Sequence, residues 1–167
     1  GLVDAVNILT EPSIQISSPS RSYQSHVTAG EIKKPDRCYL PYRKQCATSY
    51  VSYLQKRGIS SSVIRRCAQL GLLYEGVYKK KEPDGLATYT PVCVFVGKDD
   101  TGTPRFACMR GINSDLRKDA YGSDKEYSFC LPPRKLDSRH VAVFEAPIDA
   151  LSHATMQEMD GWKWNGY

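Results

Sequence analysis

The apolar pattern of the chain changes its period at Gly71, and that change decides which folds are open to it. Before it, Ala47, Tyr50, Val51 and Leu54 recur at spacings of three and four, as do Val63, Ile64, Cys67 and Leu70; this is the repeat of one buried helix face. Gly58 after Lys56-Arg57 reads as a stop, Ser60 as an N-cap and Gly71 as a second stop. A helical hairpin from about Gln45 to Leu70 is therefore expected. After Gly71, residues 72–78, 92–97 and 105–110 are rich in β-branched and aromatic side chains and read as strands. Asp99-Asp100-Thr101-Gly102 is a hairpin turn signal between the last two. Residues 79–91, with Lys79-Lys80-Lys81, Pro83, Asp84-Gly85 and Pro91, are expected to form an exposed loop, and residues 111–126 a polar one.

A second pattern follows near the end. His140-Val141-Ala142-Val143-Phe144 is a short apolar run of the kind buried in parallel sheets. Glu145 comes directly after it, then Ala146-Pro147, then Ile148, Leu151, Ala154 and Thr155 at helical spacing. Pro147 suits a first helical turn. This predicts a strand–turn–helix unit with a carboxylate at the carboxyl end of the strand, the edge where ligands bind in open α/β sheets. Trp162 and Trp164 alternate and are expected in the core or as exposed core.

Residues 2–9 carry the apolar face of a short helix, and residues 12–30 hold six serines, two prolines and one glycine, the composition of a linker. With 167 residues the chain has room for one ordinary domain and no more than pieces of others. No apolar run is long enough to span a membrane, and no export signal opens the chain, so a cytoplasmic location and no membrane partner are expected. The six cysteines lie 8 to 26 residues apart without a close pair. Zinc sites are usually announced by such pairs, so six reduced thiols are expected, mostly as small buried residues.

The net charge of +5 is unevenly placed. Residues 33–66 hold nine Lys/Arg and one acid, whereas residues 140–167 hold four acids and one base. A basic segment interleaved with Tyr39, Tyr42, Tyr50 and Tyr53 suits a phosphate backbone with stacked bases, or a solvated helix surface with tyrosines half in the core.

Val141-Ala142-Val143-Phe144-Glu145-Ala146-Pro147-Ile148-Asp149 resembles the first motif of the Toprim domain of bacterial primases, topoisomerases and related nucleases. Tyr53-Leu54-Gln55-Lys56-Arg57-Gly58-Ile59, followed by Val63-Ile64 and Leu70-Gly71, resembles a helical segment of primase cores, and Lys125 before Tyr127 stands where primases carry a lysine ahead of an aromatic residue. The ordered set is similar to a primase-like family of bacterial conjugative and other mobile elements, in which a zinc module is followed by a domain of unknown function and then Toprim. The resemblance implies an α+β chain: a helical hairpin and small antiparallel sheet, then the first βα unit of a truncated Toprim α/β domain. In those terms residues 1–11 are the tail of the zinc-module helix, 12–36 a linker, 37–138 the primase-like N-terminal domain and 139–167 the start of Toprim.

The function implied is nucleic-acid binding in replication or transfer of a mobile element, on single-stranded DNA or a primer-template, beside a helicase or relaxase of the same element. By the resemblance Glu145 is the catalytic acid/base and a magnesium ligand, and Asp149 lies on the same helix face as a second catalytic carboxylate. Magnesium-dependent nucleotidyl transfer is implied for the full-length protein alone, because the resemblance places an Asp-x-Asp beyond Tyr167; no cofactor is expected in the present chain. Lys125, Arg110, Arg57 and Lys56 are the expected phosphate contacts, Lys125 together with the amides of its Gly-Ser turn. Arg57 and Arg110 also read as a helix-end and a surface arginine. Ala146 stands where the family usually carries Gly, which favours the alternative of a non-catalytic interaction module with a degenerate Toprim domain.

Overall fold

A computed structural model describes residues 35–134, 137–164 and 166–167. The expectations for residues 2–9 and 12–30 lie outside them. The described part is α+β. Five strands form one antiparallel meander in chain order: β1 (Tyr42–Arg43), β2 (Leu73–Lys81), β3 (Ala87–Lys98), β4 (Pro104–Gly111) and β5 (Arg117–Asp119). Three α-helices are described: α1 (Ser49–Gln55), α2 (Ser61–Gln69) and α3 (Pro147–Met159).

Strand alternation sorts the sheet into two faces. Leu73, Cys93, Phe95, Phe106 and Cys108 point to the helical side, where they share a core with Leu54, Ile59, Val63, Ile64, Cys67, Leu151 and Ala154. Tyr74, Val92, Val94, Val96, Ala107 and Met109 form a second core on the opposite face. The helices are joined by polar links as well as by packing. Ser60 caps α2 by accepting from the Val63 amide, as its position predicts. Its own amide donates to Thr155 Oγ1, and its hydroxyl donates to Glu158, which also accepts from Ser62 and Arg134. The start of α2 is thereby tied to the end of α3.

Several expectations are corrected. α1 begins at Ser49 rather than near Gln45, because Lys44 is held to β2: its amide and its ammonium both donate to Glu75. The expected loop at 79–91 is mostly sheet, since Tyr78, Lys79, Lys80 and Lys81 pair with Thr90, Tyr89, Thr88 and Ala87. Only the Glu82–Leu86 tip turns, with Asp84 accepting from the Leu86 amide. Its turn residues mark that tip, while Thr88, Tyr89 and Thr90 extend β3. Residues 111–126 contain β5 and a 3-10 turn at Lys125–Tyr127. Residues 140–144 are not a buried strand. Among the described residues their β-pairing is a single parallel bridge, Val141 to Gly166, and the Val141 and Val143 side chains are 69% and 88% exposed. The five-stranded antiparallel sheet does not include this run, which is held instead by Ala142 against the helical-side core and by Phe144 against the His153 and Tyr167 rings. Trp164 is buried and Trp162 is exposed.

The cysteines report on the same packing. All six are free; Cys67, Cys93 and Cys108 are buried and Cys46 and Cys130 exposed. Burial pushes the Cys67 thiol up to about 12 and the Cys108 thiol up to about 11, and raises Cys93 as well. The thiolate is the reactive form. At about pH 8 a thiol reagent is therefore expected to modify Cys46 first and Cys130 more slowly, and Cys67, Cys93 and Cys108 only on unfolding. Rapid labelling of native Cys93 would contradict the central place of β3.

Candidate functional site

The helical face of the sheet is open beside β4 and β5, where α1, the 3-10 turn and the start of α3 converge. Two adjoining cavities lie there, of about 330 and 710 Å3. Arg110, Glu145 and Ala146 line both. The smaller is also lined by Arg57, Arg117, Asp115 and Asp149, the larger by Lys125, Asp119 and the 127–130 segment. The structure therefore gathers Arg57, Arg110, Glu145 and Asp149 in one cleft and places Lys125 on its extension. Lys56, exposed at the end of α1, lines neither cavity.

Each residue has a local reason for its position. Arg57 leaves the end of α1 in the turn closed by Gly58, and its guanidinium lies 4.9 Å from the Tyr53 ring. Arg110 ends β4 directly opposite Arg117 of β5. Gly111 then lets the chain fold back: a Cβ there would overlap Ser114. Its amide donates to the Leu116 carbonyl, which brings β5 alongside β4. Glu145 is exposed ahead of α3, and Asp149 sits in that helix's first turn after Pro147, where the macrodipole favours a negative charge.

Electrostatics distinguish this cleft from an ordinary surface. Like charges directly opposite on neighbouring strands repel, yet Arg110 and Arg117 form such a pair. Among the described residues no carboxylate lies within ion-pair distance of Arg57, Arg110 or Arg117. Among the described residues the Arg110 side chain donates only to the Met109 carbonyl, at 3.2 Å. Lys125 has a distant, solvent-exposed contact with Asp119 at 3.9 Å, worth little in water. Part of the expected cradle of amides around Lys125 is already engaged. The Ser123, Asp124, Glu126 and Tyr127 amides already donate to Ala120, Arg105 and Asp124. Lys125 would thus meet an anion by its side chain.

A magnesium ion needs several oxygens in near-octahedral array. Glu145, Asp149 and Asp115 share the cleft, but among the described residues no three His, Cys, Asp or Glu side chains gather closely enough to hold a metal. The described carboxylates alone do not fit a magnesium site. What the cleft can do is grip a phosphate with planar guanidinium forks and offer carboxylate acceptors to sugar or base donors beside it. Arg117 and Asp115 were not expected in the site from sequence, and Tyr53 was read only as one tyrosine of the basic segment. Arg117 becomes visible only as the cross-strand neighbour of Arg110, in a stretch that reads as loop.

A family model described as a protein of unknown function, DUF3991, matches residues 52–135, half of the chain. The range includes Arg57, Arg110, Arg117 and Lys125, and stops before Glu145 and Asp149. No curated protein matches, and no solved structure does. Among the described residues no helix is long and apolar enough to cross a membrane.

Proposed function

The chain belongs to the DUF3991 family, and on that premise we propose that it is the nucleic-acid-binding part of a primase-like Toprim protein acting in replication or transfer of mobile-element DNA. The reading rests on one observation above the others: Arg110 and Arg117 face each other across β4 and β5, with Arg57 in the same cleft, and no described carboxylate lies within ion-pair distance of them. A phosphodiester relieves that repulsion, and Glu145 and Asp149 beside it accept from the attached nucleotide. The order of motifs in the sequence, an apolar run, Glu145, then α3 with Asp149, supports the Toprim component. Magnesium-dependent nucleotidyl transfer belongs to the proposal only for a protein in which an Asp-x-Asp joins Glu145.

Fluorescence anisotropy with a labelled single-stranded oligonucleotide tests it. Arg110→Ala is expected to weaken binding about tenfold, the loss of one charge-assisted contact, and to flatten the dependence of affinity on salt by about 0.7 in log–log slope. Arg57→Ala should act in the same direction. Binding unchanged in both variants, or binding indifferent to salt, would refute the reading. A second reading, a non-catalytic protein-interaction module, draws on the exposed Val141, Val143 and Trp162; it gains if neither arginine matters and no oligonucleotide binds.

A further inference from the structure

The three consecutive lysines lie on a structural feature that the cleft does not use. β1 pairs with β2 only as far as Tyr42 opposite Val77, and β4 leaves β3 at Gly111 opposite Val92. Beyond those points β2 and β3 continue as a bare two-stranded ribbon through four cross-strand pairs, from Tyr78–Thr90 to Lys81–Ala87. No residue from Lys79 to Pro91 is buried. An isolated two-stranded ribbon is marginal in water; Tyr78 at its base packs on the second core and accepts from Lys118, but beyond Tyr78 the hydrophobic core does not account for this one.

Its side chains are sorted by face. Lys79, Lys81 and Tyr89 share one face, with Lys79 opposite Tyr89 and its ammonium 5.7 Å from that ring. Tyr89 is 62% exposed. Lys80 occupies the other face and is paired with Glu82 at 3.0 Å. Among the described residues Lys79 and Lys81 have no carboxylate within ion-pair distance. Their face is also the face of the cleft: Arg110 pairs with Cys93, Tyr89 lies four residues back along β3, and positions an even number apart point the same way. Along β3 that separation is about 14 Å. Arg117, Arg110, Tyr89 with Lys79, and Lys81 thus succeed one another along one side of the sheet.

We propose that the 78–90 ribbon is an arm that carries single-stranded nucleic acid away from the cleft, with Lys79 and Lys81 on successive phosphates and Tyr89 under a base. Cations spaced along one face with an exposed aromatic ring beside them form an arrangement that binds a single strand without reading its sequence. The arm extends the reading of the cleft as a phosphate site, and a length series separates the two. An oligonucleotide of about four residues is short enough for the cleft alone, whereas one of about twelve reaches the arm.

The test compares the parent chain with Lys79→Ala/Lys81→Ala/Tyr89→Ala and with Arg110→Ala on both oligonucleotides. All three arm residues lie outside the core, so the arm variant keeps its fold, checked by circular dichroism. It is expected to bind the longer strand at least tenfold more weakly, with a log–log salt slope shallower by about 1.4, and to bind the short one like the parent. Lys79→Arg/Lys81→Arg should retain parental affinity for both. Unchanged affinity and slope on the longer strand overturn the arm while leaving the cleft intact, and leave the lysines the role of guarding exposed strand edges. Loss in the arm variant with none in Arg110→Ala supports the arm and removes the cleft. Equal loss on blunt duplex and single strand overturns the single-strand assignment, and no binding by the parent chain overturns both.

Discussion

Replacing Gly97 by alanine is expected to destabilise the protein by about 3 kcal/mol, the upper part of the range for overpacking. Gly97 lies in β3 on the helical face, and a Cβ there would overlap the carbonyl oxygen of Tyr127 and press on Ser128 at 2.7 Å. Both obstacles are backbone, so no side-chain rotation relieves them. Strand and 3-10 segment must separate, and with them the edge-on contact of Phe129 with Phe95 and the wall of the larger cavity that carries Lys125. The expected result in urea is a lower midpoint with little change in slope. A loss under about 0.5 kcal/mol, the range of a neutral surface change, would mean that residues 127–128 do not lie on β3. Any effect on nucleic-acid binding should appear through Lys125 and be smaller than that of Arg110→Ala.

Glu75→Ala is expected to cost a similar amount, about 3 kcal/mol, for a different reason. The Glu75 side chain is wholly buried and accepts from Lys44 Nζ and from the Tyr50 amide, each at 3.1 Å. Thr48, at the N-cap of α1, makes no side-chain cap; the carboxylate reaching across from β2 takes that place and puts a negative charge at the helix start. Its removal leaves the Tyr50 amide without its acceptor and frees the segment that delivers Tyr53 and Arg57 to the cleft. Lys44→Ala should also destabilise, because it leaves a buried carboxylate without a cation. Adding Glu75→Leu to it should then recover part of the loss, since an apolar group tolerates burial better than an unpaired charge. Denaturation curves of the two single variants and the double give the test. A double variant no more stable than Lys44→Ala would show that the ion pair contributes nothing beyond the cap.

How much of the candidate site could be read in advance depends on the range of the interaction that places each residue. Arg57 and Asp149 are fixed by signals within a few residues, Gly58 after one helix and Pro147 opening another. Glu145 was legible as the residue between an apolar run and that helix, although the run itself is exposed and not a buried parallel strand. Lys125 was legible as a loop lysine, but the Ser123, Asp124, Glu126 and Tyr127 amides around it donate to Ala120, Arg105 and Asp124, which local sequence does not reveal. Arg117 was not legible at all: its role depends on β5 folding back on β4, and three residues are too few to show a period.

The sequence by itself determined the α+β character, the two helices and their stops, the Ser60 cap and the turn at residues 99–102, because each follows from spacing or turn chemistry within about a dozen residues. Tertiary structure alone decided which faces meet. It extended β2 and β3 through the lysine run, since pairing with a partner strand outweighs a composition that reads as loop. It capped α1 with a glutamate from another element, and it left residues 140–144 exposed, since an apolar run becomes a buried strand only where other layers cover it. It also set Arg110 against Arg117. That contact joins two segments separated by a turn built on Gly111, and the sheet register that creates it is a property of the whole fold rather than of either segment.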